Sequence, residues 1–433
     1  MNILMLTNTF TPHVGGVARS VQSFMQEYRR LGHRVIVIAP QFEGAPEHED
    51  DIIRVPAIQN FYGSDFSVPM PIPGLLSSAL EQFKPDIVHS HHPFLLGDTA
   101  LRIAATKNVP VIFTHHTQYD RYLHYVSNSS PALQRFVKDL VTGYCNLCDA
   151  VIAPSESIAT VLLNQGVTTP IEVIPTGIDI AQFSQGNGAG FRATHNIPTD
   201  AFVIGHTGRL APEKNLAFLA EAVAEFLTKN PSGCFVVIGT GPSSEAIEQL
   251  FRQRGLFDRL YLTGSLQGQS LVDAYQAMDT FAFASQSETQ GLVLTEAMAA
   301  GVPVVAVDAS GVREVVIDKY NGRLLPDEDL REFAAALTWI ATLSRTERAQ
   351  LNKAAHDTAE AFSISRCAAH ALKLYQSLSG REHTAKNSGD NLWSTTLRLI
   401  EEEWKIIGTK AKAAGAALLK SGPADHQNTG TTG

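Results

Sequence analysis

The sequence is poor in cysteine, modest in charge and without a long apolar run. Four Cys among 433 residues exclude a disulfide-stapled scaffold. Lys and Arg number 34 against 43 Asp and Glu, a formal net charge of −9, so the basic footprint of a nucleic-acid binder is missing. No apolar run reaches the roughly 18 residues of a spanning helix. The opening MNILMLTNTF lacks the basic stretch and small-residue cleavage site of a secretory signal. These absences predict a cytoplasmic protein. What remains is globular in character, with 44% hydrophobic residues and enough length for two large domains.

Short apolar runs alternate with longer helical stretches. The clearest are Asn2–Leu6, Val35–Ala39, Ile87–His89, Val111–Thr114 and Val151–Ala153, then Phe202–His206, Phe235–Gly239, Arg259–Thr263, Thr280–Ala284 and Val302–Val307. Continuous apolar runs are the mark of strands buried on both faces. Their alternation with helices predicts parallel sheets of βαβ units, hence two doubly wound α/β domains. The segment PTGIDIAQFSQGNGAG predicts a linker between residues 1–180 and 181–380. A polar break after Gly380 sets off a tail, 381–433. Its apolar residues, from Trp393 through Ile400 and Ile407 to Leu418, form one helical stripe. That stripe predicts docking on its own protein or on a second copy, or peripheral contact with a membrane surface. The last residues, SGPADHQNTGTTG, read as disordered.

Four constellations carry chemistry. In TNTFTPHVGGVARS, Gly15 and Gly16 stand between the first strand and a helix, where glycines let backbone N–H groups approach an anion. The GxGxxG dinucleotide fingerprint is absent. His89, His91, His92, His115 and His116 cluster at two strand ends, where α/β sheets bind ligands. No HExxH or Cys/His spacing points to a metal site, so the rings read as substrate contacts or structural hydrogen bonds. In GRLAPEKN, Arg209 and Lys214 stand at a strand-to-helix junction, as two cations for a diphosphate would. In SETQGLVLTEAMAAGVP, Glu288 precedes a short helix and Glu296 lies one turn inside it. Gly291, Leu292 and Val293 offer N–H groups at its start. Cys145 and Cys148 form a lone CxxC within a helical pattern and read as buried packing.

Together these residues resemble a retaining glycosyltransferase of the GT-B architecture, within the family 4, group 1 transferases. The resemblance runs from about Asn2 to Leu378 and leaves the tail uncovered. It implies two Rossmann-like domains facing a cleft, with donor binding on residues 181–380 and the acceptor on residues 1–180. It implies that Glu288 holds donor-sugar hydroxyls, Glu296 holds the ribose, and Arg209 and Lys214 neutralise the diphosphate beside the Gly15–Gly16 loop. It further implies His116 as the active-site histidine and Gly264, Ser265 and Leu266 as the border of the base. The donor would be a UDP- or GDP-hexose, and no divalent ion would be required.

HSHHPFLLGD and FTHHTQYDRYLHYV look like segments of transferases that glucosylate diacylglycerol. Tyr119, Tyr122 and Tyr125 either line an acceptor cleft or pack a helix. The acceptor is expected to be a lipid or glycan. Two alternatives stand beside this reading. One is a sugar phosphorylase or epimerase on the same architecture; the other is a non-catalytic nucleotide-sugar sensor or scaffold.

Overall fold

Among the described residues, fifteen strands are interspersed with helices. The computed structural model describes residues 1–13, 15–46, 49–58, 68–69, 76, 80–119 and 131–380. The described residues fall in one compact unit formed by Met1–Gln59 and Ser67–His383. The tail helix expected at 393–418, together with Tyr122 and Tyr125, lies outside the described residues.

The first sheet comprises β1 (Asn2–Leu6), β2 (Arg34–Pro40), β3 (Ile52–Val55), β6 (Ile87–Ser90), β7 (Val111–Thr114), β8 (Ala150–Ala153) and β9 (Ile171–Val173). Two short strands, β4 (Ala57–Ile58) and β5 (Val68–Pro69), pair separately and antiparallel. The second sheet comprises β10 (Phe202–Thr207), β11 (Gly233–Ile238), β12 (Leu260–Gly264), β13 (Thr280–Phe283), β14 (Val304–Val307) and β15 (Gly322–Leu325). The orders are β3-β2-β1-β6-β7-β8-β9 and β12-β11-β10-β13-β14-β15. Every pairing within these two sheets is parallel.

The apolar runs behave as strands buried on both faces. Val203, Val236, Val304 and Ala306 enter one core, while their neighbours Ile204, Val237, Val305 and Val307 enter the other. Side chains alternate between faces, so a strand covered on both sides is apolar at most positions, and buried polar ones such as His89, His206 and Thr280 are hydrogen-bonded. The ten runs read from the sequence all occur, with ends shifted by a residue or two. β3, β9 and β15 were not expected. Each includes Arg or Glu, or lies at a sheet edge with half-exposed positions, so its apolar signal is weak.

The segment read as a linker is structured. It contains the short helices Ile180–Phe183 and Gly188–Thr194, and Ile180, Phe183 and Phe191 are buried in the second sheet's core. Three apolar anchors outweigh its glycines. The final helix, Ile364–Ser379, returns to the first sheet. Its Cys367, Ala368, Ala371, Leu372 and Tyr375 share a core with Val21, Phe24 and Tyr28 of the first helix, Gly16–Arg30.

In each sheet the strand order reverses at one point, between β1 and β6 and between β10 and β13. Crevices at such points are where open α/β sheets take ligands. Among the described residues no helix is long and apolar enough to cross a membrane.

Candidate active site

The loops that leave β1, β6, β7, β10 and β13 carry the residues singled out from the sequence. After β10 the chain makes a short helical turn, Pro212–Lys214. After β13 it runs through Ser285–Gly291 into the helix Leu292–Ala299. These two loops meet through an ion pair, with Lys214 Nζ 2.5 Å from Glu288 Oε1. Only 17% and 16% of the two side chains is exposed. Burial raises the Glu288 pKa, but Lys214 and hydrogen bonding from Ser285 together outweigh it, and the net direction is downward from 4.5. Glu288 is therefore ionised at neutral pH.

Gly291 caps the following helix in the left-handed region, at φ +71. A Cβ there would stand 2.8 Å from Leu294 Cδ1, so this turn requires glycine. The turn leaves the helix's first N–H groups, beginning with Leu292, without intrahelical acceptors. Across the crevice, the helix Gly16–Arg30 begins at the Gly15–Gly16 turn. A Cβ at Gly16 would meet nothing within 4 Å, which leaves room for an anion against the backbone.

Gly16, Val17, His116, Thr176, Lys214, Glu288, Gly291 and Leu292 line one cavity of about 220 Å³. His116 follows β7 and is half-buried. Its ring Nε2 is 2.9 Å from His91 Nδ1. Its carbonyl accepts a hydrogen bond from Thr289 Oγ1 at 3.0 Å, which ties the β7 loop to the β13 loop.

A second cavity, about 570 Å³, adjoins the first at Thr176 and Leu292. One wall is the polar face of the first helix, Arg19, Gln22, Ser23 and Gln26. The other holds Leu266, Gly268, Leu271 and Glu296. Glu296 is 2% exposed. One of its carboxylate oxygens pairs with Arg19, and the other accepts from Tyr275 Oη at 2.8 Å. The Glu296 charge raises the Arg19 pKa, against the opposing effect of burial.

Gln290 fixes the two halves near this junction. Its amide Nε2 donates to the Thr176 carbonyl at 2.8 Å, and its Oε1 accepts from the Thr176 N–H at 2.5 Å. Ser155 Oγ donates to the Thr289 carbonyl at 2.7 Å in the same region.

The sequence-derived residues are therefore gathered unevenly. Gly16, His116, Lys214, Glu288, Gly291 and Leu292 share the smaller cavity, and Leu266 and Glu296 share the larger. Gly15 is the cap of the first helix. Val293 is half-buried beside Leu292. Arg209 is the outlier, because its half-exposed guanidinium pairs with Glu213 at 2.5 Å and it lines neither cavity. Gly264 and Ser265 bind the exit of β11 instead of lining the cleft. The Gly264 carbonyl accepts from Gly239 N, and Ser265 Oγ is 3.3 Å from Thr240 Oγ1.

Among the described residues no group of three or more His, Cys, Asp or Glu is placed to hold a metal ion. Cys145 and Cys148 are buried thiols, and burial pushes Cys145 up to about 12. Sequence reading missed Arg19, Tyr275 and Gln290. Arg19 lies one turn beyond the glycine pair, which is the one local hint. The partners of Tyr275 and Gln290 are set only by the fold.

Two family models cover most of the chain. Residues 14–182 match the model described as Glycosyltransferase Family 4, and residues 190–358 match Glycosyl transferases group 1. A Streptococcus pneumoniae protein, alpha-monoglucosyldiacylglycerol synthase, is 32% identical over 371 residues, 84% of this chain and 83% of that one. The chain belongs to the family 4, group 1 glycosyltransferases.

A GDP-mannose-dependent alpha-mannosyltransferase of Corynebacterium glutamicum is 28% identical over 357 residues, 80% of this chain and 82% of that one. The structure of Anabaena HepE in complex with UDP-glucose superimposes with a TM-score of 0.69 at 20% identity, covering 87% of this chain and 100% of that one. The two sheets are thus those of a GT-B transferase, and transfer from a nucleotide-sugar donor is the activity of this chain.

Proposed function

We propose that this glycosyltransferase moves a hexose, with retention of anomeric configuration, from a nucleoside diphosphate sugar to a lipid hydroxyl of the diacylglycerol type. One observation carries the transfer reading: the Lys214–Glu288 pair and His116 line one cavity that continues into the cleft of Glu296. The lipid acceptor is supported by the name of the pneumococcal relative. UDP-glucose is the donor proposed first, since the solved HepE complex holds it. Residues 181–380 would bind the donor and residues 1–180 the acceptor.

In this reading the larger cavity takes the nucleoside, with Leu266 against the base and Glu296 accepting from ribose hydroxyls. The smaller cavity takes the diphosphate and sugar. As the bond from the anomeric carbon to the diphosphate breaks, charge builds on the departing oxygen. Lys214 and the N–H groups at Gly16, Val17 and Leu292 would meet that charge, already oriented. Arg209 would join them by swinging away from Glu213. Glu288, held by Lys214, accepts from sugar hydroxyls.

Neither polar side chain is a strong base. His116 is pushed well below 6.5 by burial, and Glu288 lies below 4.5. The departing diphosphate is then the base that takes the acceptor proton as the new glycosidic bond forms. With positioned cations and N–H groups in place, activity is expected to persist in a chelator.

The test offers UDP-glucose and GDP-mannose with diacylglycerol in mixed micelles and follows the lipid by mass spectrometry. A hexosyl lipid made from one donor, with an α linkage by NMR, is expected. Turnover only with orthophosphate or only with water would overturn the lipid reading.

Glu296 raises a competition. Arg19 occupies the oxygen that a ribose hydroxyl would use, while Tyr275 keeps the other. Arg19→Ala is expected to tighten UDP binding several-fold, because ribose then relieves a buried carboxylate short of partners. Calorimetry showing weaker or equal affinity would remove the ribose assignment.

A further inference from the structure

The β6 and β7 exits bring five histidines together, and four of them hydrogen-bond in ways that determine or constrain where their protons sit. Burial holds His89 and His92 at about 3 and His115 at about 4. Burial and neighbouring rings also keep His91 and His116 well below 6.5. All five are neutral at neutral pH. Each ring therefore has one N–H and one bare lone pair, and its partners decide which nitrogen is which.

Asn8 N donates to His92 Nδ1 at 3.0 Å, which leaves the His92 proton on Nε2. Tyr28 donates its hydroxyl proton to Tyr375 Oη at 3.1 Å. Tyr375 must then donate to His89 Nδ1, at 2.6 Å, and His89 Nε2–H in turn donates to Thr114 Oγ1 at 2.7 Å. The His89 ring packs against the His91 ring with centroids 4.1 Å apart and the planes tilted by 38°, which restricts how the His91 ring can turn.

His91 presents the choice that matters. Its Nδ1 faces His116 Nε2 at 2.9 Å, with the two ring planes 22° apart, so the rings meet edge to edge. Its Nε2 is buried and has no hydrogen-bond partner among the described residues. An orphaned buried N–H is rarer than an under-used acceptor. The bare lone pair therefore belongs on His91 Nε2. His206 makes the same choice elsewhere in the fold: its Nδ1–H donates to the Ala282 carbonyl at 3.0 Å, and its Nε2 is buried without a partner.

We propose that His91 is a positioning residue that locks His116 in the Nδ1–H tautomer, so that His116 offers a neutral hydrogen-bond donor to the transferred sugar. His91 Nδ1–H donates to His116 Nε2, so the proton of His116, a residue of the 220 Å³ cavity lining, sits on Nδ1. A neutral donor binds a sugar hydroxyl without setting a cation beside the electron-poor anomeric carbon. The inference deepens the proposed function and rests on His116 acting in the cleft. Tyr375 of the final helix holds His89, and His89 packs against the His91 ring, so that helix supports His91 from behind.

The experiment combines long-range ¹⁵N correlation spectra of histidine-labelled protein with kinetics of His91→Leu, His91→Asn and His116→Ala. In the wild type, His116 is expected to show a protonated Nδ1 and a bare Nε2. His91→Leu should lower kcat about tenfold, the loss of one oriented hydrogen bond, with donor KM unchanged. His91→Asn, whose amide N–H stands near the lost Nδ1–H, should restore most of it. A His116 spectrum with protonated Nε2, or unchanged kcat in His91→Leu, overturns the inference. Full activity in His116→Ala overturns the parent reading instead. If His91→Leu fails to fold, the wild-type spectrum alone decides.

Discussion

Lys214→Ala is expected to lower kcat by about 10² to 10³, the range for removing one preorganised group from developing negative charge. The physical reason lies in the pair with Glu288. Lys214 is mostly buried, so its charge acts at low effective dielectric and is weakly screened. It is fixed before the donor arrives, so little reorganisation is needed when the diphosphate departs. The variant also strands Glu288 in a buried position. Its carboxyl pKa should then rise, because burial was opposed chiefly by Lys214. A second loss should follow, in the form of an acid limb of activity displaced to higher pH. Lys214→Arg keeps the charge but not its point-like reach, and should recover only part of the rate. Kinetics against pH with the intact donor would check both effects. A variant within threefold of wild type would remove Lys214 from the leaving-group site.

Acid unfolding should begin unusually close to neutrality. Burial places His89 and His92 at about 3, and His115 and His206 at about 4, against 6.5 when unfolded. Between those values the unfolded chain binds protons that the folded chain refuses. Stability is therefore complete above 6.5 and falls as the pH drops, at about 1.4 kcal/mol per pH unit for each histidine. Four such groups remove roughly 6 kcal/mol by one unit below 6.5, a large share of a typical folding free energy. Glu288 adds to this in the same direction at lower pH, since its folded carboxyl lies below 4.5 and its stabilisation is lost as it protonates. Urea midpoints measured from pH 7.5 to 5 should fall steadily. A flat profile across that range would mean that these rings are charged or solvated in the fold.

Much of the architecture could be read from the sequence, because its signals are local. A strand covered on both faces has few polar positions, so β1, β2, β11 and β14 announce themselves as near-continuous apolar runs. Loops at strand ends are equally local, and Gly16, His116, Lys214, Glu288 and Glu296 all lie in or just beyond such loops. Edge strands and anchored loops were less legible. β15 sets two half-exposed residues between two buried ones, and Phe183 and Phe191 belong to a core most of whose members lie far away in the chain.

What the sequence alone determined is the class of the protein and the stock of groups available to its site. Apolar periodicity and strand-end motifs depend only on near neighbours, and they sufficed for two parallel sheets and for the glycosyltransferase family. Tertiary structure decided the pairing of those groups. Lys214 faces Glu288 across 74 positions, Arg19 reaches Glu296 across 277, and Tyr375 reaches His89 across 286. Spacing carries no information at such separations, since the order of strands within each sheet sets which loops meet. The same folding buried the histidines and removed their charge. That turned a row of residues that titrate near neutrality in water into fixed donors and acceptors.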